Sequence, residues 1–229
     1  LGGSAGGIFN YGERGGSSAT LEITNSTLSG NSAIFGGGIG NNGFQGNAAV
    51  TLRESTVSGN SANQGGGIYN TGKNFAGGII TLANTIFRTG ATGGNIWNDA
   101  GIITSLGYNI SNDDGSGYLT GPGDQIDTDP LLAPLQDNGG PTFTHALLKG
   151  SPPIDTGDPN FTPPPLFDQR GLGFDRIVNG RIDIGSFEVQ GPTPSPTSTP
   201  TATPTPTPTP CTGRCSPTPR PRPTPARRP

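Results

Sequence analysis

Carboxylates crowded into a few residues are the first candidates for chemistry in this chain. Asp113 and Asp114 are adjacent, and Asp124, Asp127 and Asp129 follow within one short stretch. Two carboxyls flanking a glycosidic bond can hydrolyse it, one giving a proton while the other assists attack. A lyase would instead need Ca²⁺ to neutralise a uronate and a Lys or Arg to accept the proton. Asp124, Asp127 and Asp129 have the acidic spacing to hold one Ca²⁺, but they match neither an EF-hand loop nor a glycine-aspartate nonapeptide repeat. Asp113 and Asp114 sit in Asn-Asp-Asp-Gly, where such side chains commonly serve their own turn. The only histidine, His145, lies in THALL among apolar neighbours and reads as packed rather than catalytic. Asp168, Arg170, Asp183 and Glu188 form a second charged set. Arginine pairs with carboxylates in a planar, two-pronged geometry, so these four read as a structural clamp on the final strand. Cys211 and Cys215, the only cysteines, stand as CTGRC. Two thiols do not make a metal site, and a small local disulfide is expected, with free thiols as the alternative.

The elements that must position these groups are written as repeats. GGIFN at residues 6–10 returns as GGGIGN at 36–41, GGGIYN at 65–70 and GGNIWN at 93–98, with Ile8, Ile39, Ile68 and Ile96 spaced by 31, 29 and 28 residues. Such a period marks units that cannot bury an apolar face alone and must stack on their neighbours. Within a repeat, Leu21 and Ile23, Val50 and Leu52, and Ile80 and Leu82 alternate with polar residues. This is the period of a strand with one face inward. Glycine pairs and Asn-Ser-Thr clusters interrupt too often for a helix to persist. Asn10, Asn41, Asn70 and Asn98 each follow the repeat isoleucine by two and therefore point the same way. Stacked at one corner, they predict an asparagine ladder that satisfies buried amides.

One coil per repeat, each about 4.8 Å above the last, predicts an all-β fold: a right-handed parallel β-helix, or pectin-lyase-like solenoid. Residues 1–111 hold the repeats, 112–191 are expected to add C-terminal coils and a capping segment, and 192–229 form a tail. From Pro192 the tract PTPSPTSTPTATPTPTPTP favours extended polyproline II, so the tail is expected to be a disordered stalk. Charge divides at the same boundary. Residues 1–191 hold eight Lys or Arg against sixteen Asp or Glu, whereas the tail holds five Arg and no acid. No aromatic residue is interleaved with those arginines to stack bases, so nucleic acid is not an expected partner. No apolar run is long enough for a transmembrane segment. The chain opens with Leu1 in mid-pattern and lacks an apolar leader, which reads as a missing natural amino terminus and signal peptide.

A longer set of motifs carries a family resemblance. STVSGNSA at 55–62, TSLGYNIS at 104–111, DPLLAPLQDNGGPTFTHALLKGSPPIDTGD at 129–158, DQRG at 168–171 and DIGSFE at 183–188 occur in order. In these the chain resembles the bacterial surface proteins called choice-of-anchor Q domain proteins. Its repeats alone are also similar to those of polymorphic outer-membrane proteins and autotransporter passengers. The resemblance covers nearly all of residues 1–190 and implies a right-handed parallel β-helix at an extracellular or cell-surface location. It assigns no activity. After the stalk this chain shows no LPxTG-like motif and no PEP-type signal, a departure from the family at its anchoring end.

The expected function is a secreted or surface-displayed structural or adhesive module without catalytic activity. Its expected partner is an extracellular glycan or surface, and no cofactor is required apart from the Ca²⁺ that the acidic spacing admits. Its expected contact surface is an outward polar wall that includes Glu22, Thr24, Thr51, Arg53 and Thr81. The alternative is a carbohydrate-active enzyme, a polysaccharide lyase or glycoside hydrolase. A surface cleft where two carboxylates, or carboxylates with Lys or Arg, converge would favour the enzyme.

Overall fold

Each repeat folds into three short strands, and strands from equivalent positions pair in parallel. The first repeat gives β1 (Ile8–Tyr11), β2 (Ser18–Thr24) and β3 (Thr27–Ser29), and the second gives β4 (Ile39–Asn42), β5 (Asn47–Arg53) and β6 (Thr56–Asn60). The third gives β7 (Ile68–Thr71), β8 (Gly78–Ala83) and β9 (Ile86–Thr89), and the fourth gives β10 (Ile96–Asp99), β11 (Ile102–Ser105) and β12 (Ile110–Ser111). Three four-stranded sheets result, ordered β1-β4-β7-β10, β2-β5-β8-β11 and β3-β6-β9-β12. Pairing is in register, so that Ile8, Ile39, Ile68 and Ile96 form one row. This computed structural model describes residues 5–12, 17–44, 46–72 and 77–191, all within one unit, Leu1–Pro192. The expected Pro-Thr stalk and the Cys211–Cys215 pairing lie outside the described residues. Among those residues the one helical element is a single 3₁₀ turn, Gly115–Gly117, and no helix is long and apolar enough to cross a membrane.

Alternation decides which side chains go inside. Ile23, Val50, Leu52, Ile80 and Leu82 are buried and share one core with Leu28, Ile39, Val57, Ile68, Phe87 and Ile96. Leu21 packs against that core while staying partly exposed. Each such side chain contributes about 1.5–3 kcal/mol on burial. The asparagines solve the polar half of the problem. Asn10 donates to Asn41 Oδ1 at 2.8 Å, Asn41 to Asn70 Oδ1 at 2.8 Å and Asn70 to Asn98 Oδ1 at 2.9 Å. Their amides also reach backbone carbonyls of the second sheet, such as Ala48 O at 3.0 Å and Gly78 O at 3.1 Å. Glycine is required where successive repeats approach closest. A Cβ on Gly37 would stand 2.5 Å from Gly66 O, and Gly36 beside it takes a positive φ of 61°.

Beyond Ser111 the stacking changes character. One partial further rung is present, where Gln125 bridges Ile110 in parallel. β13 (Leu132–Gln136) and β14 (Thr144–Leu147) then pair antiparallel. The remaining chain runs along the outer side of the third sheet. Asn25 Nδ2 donates to Phe167 O at 3.0 Å, Ser186 N to Thr56 Oγ1 at 3.1 Å and Gly185 N to Asn84 O at 3.0 Å, so three successive repeats are held. Ile86 and Ile110 of the third sheet meet Leu132, Leu147, Ile184 and Phe187 in a second apolar cluster. The physical cause is the outward face of that sheet, which turns from Thr27 and Thr56 to Ile86 and Ile110 and needs a cover.

Asn70→Leu keeps the volume but strips a buried donor and acceptor from the ladder. It is expected to cost about 3 kcal/mol in chemical denaturation, since unmet buried polar partners cost about 1–3 kcal/mol each. Thr81→Ala, on the outer face of the second sheet, is expected to stay within about 0.5 kcal/mol. Equal effects of the two substitutions would contradict this packing.

Candidate functional site

Four of the five acids singled out by sequence, Asp113, Asp114, Asp124 and Asp129, accept from backbone amides. Asp113 Oδ2 accepts from Asn95 N at 2.7 Å, and its Oδ1 accepts from Ser111 Oγ at 2.6 Å and Gly115 N at 3.0 Å. Burial works to raise its pKa, but these hydrogen bonds outweigh burial and hold it below the ordinary carboxylate value. Asp114 caps the 3₁₀ turn through Ser116 N at 2.8 Å. Asp124 accepts from Ser105 Oγ, Asn109 N and Gly121 N at 2.5, 2.8 and 2.7 Å. Asp127 takes a left-handed turn conformation (φ 50°), and Asp129 accepts from Leu131 N at 3.0 Å while facing Arg88 at 4.0 Å. Asp124, Asp127 and Asp129 are not drawn together. Among the described residues the acidic trio whose ligand atoms lie within 4.8 Å of one another is Asp155, Asp183 and Glu188. His145 is buried, with Nδ1 2.7 Å from Ala133 O and Nε2 2.9 Å from Ser29 Oγ, and burial lowers its pKa.

The second charged set is divided differently from its expected pairing. Arg170 grips Asp168, with Nη2 at 2.6 Å and Nε at 3.0 Å from Oδ2, between the rings of Phe174 and Phe187 at 4.0 and 3.8 Å. It touches Glu188 only at the backbone, donating from Nη2 to the carbonyl at 2.6 Å. Asp183 and Glu188 instead neighbour Arg176, which sequence reasoning did not single out. Arg176 is fully buried and donates to Asp183 O and Gly185 O at 3.0 and 2.7 Å. Asp183 accepts from Asp155 N and Val189 N, both at 2.7 Å, and Glu188 accepts from Asp183 N at 2.8 Å. Burial first, and the two carboxylates' mutual repulsion in the case of Glu188, push Asp183 up to about 6 and Glu188 up to about 8.

Two depressions on the surface have the makings of a binding site. The first lies on the outer face of the first sheet, where in-register pairing aligns Phe9, Gly40, Tyr69 and Trp97 in one row and Tyr11, Asn42, Thr71 and Asp99 in the next. Gly40 contributes no side chain between Phe9 and Tyr69, which leaves a hollow. A groove of about 260 Å³ forms there, lined by Phe9, Phe35, Phe44, Tyr69, Asn42 and Asp99 among others. Phe35 leans on Tyr69 at 5.1 Å between ring centres, and Phe9 stacks on Tyr11 at 5.8 Å. Trp97 is 43% exposed at the end of the row. The signal was in the repeats themselves: the residue after each anchoring isoleucine is aromatic in three of four copies. The expected polar wall on the second sheet is there as the row Glu22, Thr51, Thr81 and Thr104. Beside it runs a less polar row that includes Ile79 and Ile102, 39% and 49% exposed.

The second depression, of about 300 Å³, opens where the second and third sheets meet. Glu54, Asp158 and Arg53 converge on it, which is the convergence of charges expected of an enzyme cleft. Comparison of the chain with protein-family models, curated proteins and solved structures finds no match.

The raised carboxyls fix the sign of a pH effect. A carboxyl with a raised pKa in the folded state stabilises fully below its unfolded value and loses that contribution as pH climbs through the folded value. For Asp183 the loss runs from 3.8 to about 6 and for Glu188 from 4.5 to about 8. His145 acts oppositely, losing stability as pH falls below 6.5. Glu188→Gln removes one titration alone. Relative to the wild type, its melting temperature is expected to fall less between about pH 6 and pH 9. Parallel curves for the two proteins would contradict the buried carboxyl pair.

Proposed function

We propose that the domain is a right-handed parallel β-helix of the pectin-lyase-like kind that acts outside the cell, or on its surface, as a non-catalytic module binding an extended glycan. Three stacked parallel sheets with one strand of each per repeat support the solenoid, and crossovers between parallel strands are almost always right-handed. The resemblance to choice-of-anchor Q domain proteins supports the location.

The aromatic groove carries the functional reading. Sugar rings present C–H faces that pack on aromatic rings, while their hydroxyls need polar partners at the rim. Phe9, Tyr69 and Trp97 supply the rings, and Asn42, Thr71 and Asp99 stand one row away. From Phe9 to Trp97 the row crosses three rung steps, about 14 Å at the usual strand spacing. That length suits a short run of sugar units rather than a single one. The excess of acids in residues 1–191 favours a neutral chain over a uronate polymer. The second reading, a carbohydrate-active enzyme, is favoured by the cleft at Glu54, Asp158 and Arg53.

Trp97 is the only tryptophan in the chain and pairs in register with Tyr69 of the groove, so its emission reports binding along the row. Titration with neutral soluble glucans, mannans and xylans is expected to shift that emission saturably for at least one polymer. In affinity electrophoresis, Tyr69→Ala and Trp97→Ala are expected to weaken retardation by about tenfold, equivalent to about 1.4 kcal/mol of ring contact. Retardation unchanged in both variants, or absent for every polymer, would contradict the proposal. Reducing-sugar and unsaturated-product assays with and without calcium are expected to show no turnover. Turnover would put the enzyme reading in its place.

A further inference from the structure

We infer that the cleft where the second and third sheets meet is a second binding site, shaped for a single neutral sugar unit. The argument begins with a column of corner residues. Asn25, Glu54, Asn84 and Tyr108 occupy equivalent places in successive repeats, and all four take a left-handed backbone conformation, with φ of 53°, 42°, 46° and 55°. Asparagine tolerates that conformation, whereas glutamate and tyrosine enter it at a cost. The two departures from asparagine are therefore unfavourable locally. Both of them line the cleft, as does Asn84 between them.

What the departures achieve is chemical. Glu54 is 5% exposed, and among the described residues its carboxylate accepts one side-chain hydrogen bond, from Asn84 Nδ2 at 3.2 Å. The charges of Arg176 and Arg53 act on it against the larger effect of burial, and on the cavity wall it can accept from a further donor. Tyr108 brings a ring, which carries the Arg181 guanidinium at 5.7 Å. The opposite wall belongs to the segment that covers the third sheet. It supplies Asp158, whose own amide is fixed by Asn84 Oδ1 at 2.8 Å, and Asn160. Arg53 adds donors at the rim.

Donors and acceptors thus share the lining of an opening of about 300 Å³, with aromatic side chains, Tyr108 and Phe161, in the wall. Vicinal hydroxyls match such a rim because each both donates and accepts. Arg53 opposes a free cation and Glu54 with Asp158 opposes a free anion, so a neutral polyol ring is the occupant that the lining favours. The site stands on residues and a face separate from those of the aromatic groove, and does not depend on the groove being a glycan site.

Ligand-observed NMR and calorimetry on the full chain test it, with methyl glucoside, methyl galactoside and methyl mannoside as probes. Methylammonium and glucuronate serve as the charged comparisons. Saturable millimolar binding of at least one neutral glycoside is expected, weakened fivefold or more by Glu54→Gln and by Asn160→Ala and unchanged by Trp97→Ala. Asn160 is exposed, so Asn160→Ala keeps the test informative should Glu54→Gln fail to fold. Three results would overturn the inference: no saturable binding of any neutral glycoside, tighter binding of either charged probe, or binding lost in Trp97→Ala and retained in Asn160→Ala. Release of methanol from a glycoside, abolished by Glu54→Gln, would replace it with a hydrolytic site.

Discussion

The hydrogen bond from each asparagine amide to the side-chain carbonyl oxygen of the asparagine one repeat away is the constraint from which the rest follows. Asn41 and Asn70 are fully buried, and a buried amide without partners is costly. Beyond the carbonyls of its own repeat, each asparagine gains its side-chain partners only if the next repeat arrives in register. A slip of one residue would turn every inward side chain outward at the same time. Register therefore propagates from the ladder to both faces of every sheet. Inside, it stacks isoleucine on isoleucine. Outside, it makes surface features out of sequence positions, since any residue type repeated at one position becomes a row.

The three outer faces use that consequence in different ways. The third sheet presents Thr27, Thr56, Ile86 and Ile110, and its apolar end is covered by the chain beyond residue 130. Buried charge holds that cover in shape. Arg170 is sandwiched by two rings on Asp168, and Arg176 neighbours Asp183 and Glu188. Buried ion pairs contribute less to net stability than to fixing one arrangement, because desolvation offsets much of the attraction. The second sheet shows hydroxyls and the first shows rings. Both binding proposals rest on columns of this kind, one aromatic and one at a left-handed corner.

Much of the stacking was legible from the spacing of Ile8, Ile39, Ile68 and Ile96, and the asparagines two residues further on pointed to the ladder. Those signals are periodic, so they survive without any knowledge of the surroundings. The role of Arg176 was not legible. Nothing local distinguishes it from an exposed arginine, and its burial depends on a segment folding back across residues 25–86. Asp113 and Asp124 looked like candidates for chemistry because they lie close in sequence, yet each is spent on neighbouring amides. Glu54 had the opposite fate, unremarkable in sequence and gathered with Asp158 only by the fold. The aromatic row occupies the variable position beside the residues that repeat identically, where Phe9, Gly40, Tyr69 and Trp97 share a place but not a residue type and so give no strict periodic signal.

A double-mutant cycle between Asn41 and Asn70 tests the ladder most directly, because the two side chains share one hydrogen bond and lie on paired strands of adjacent repeats. Replacing each with alanine, singly and together, and measuring denaturant stability gives their coupling. A coupling energy of about 1 kcal/mol or more is predicted, within the range seen for residues that share a hydrogen-bond network. Additive losses within about 0.3 kcal/mol would mean that the asparagines are satisfied independently and that register is set by something else.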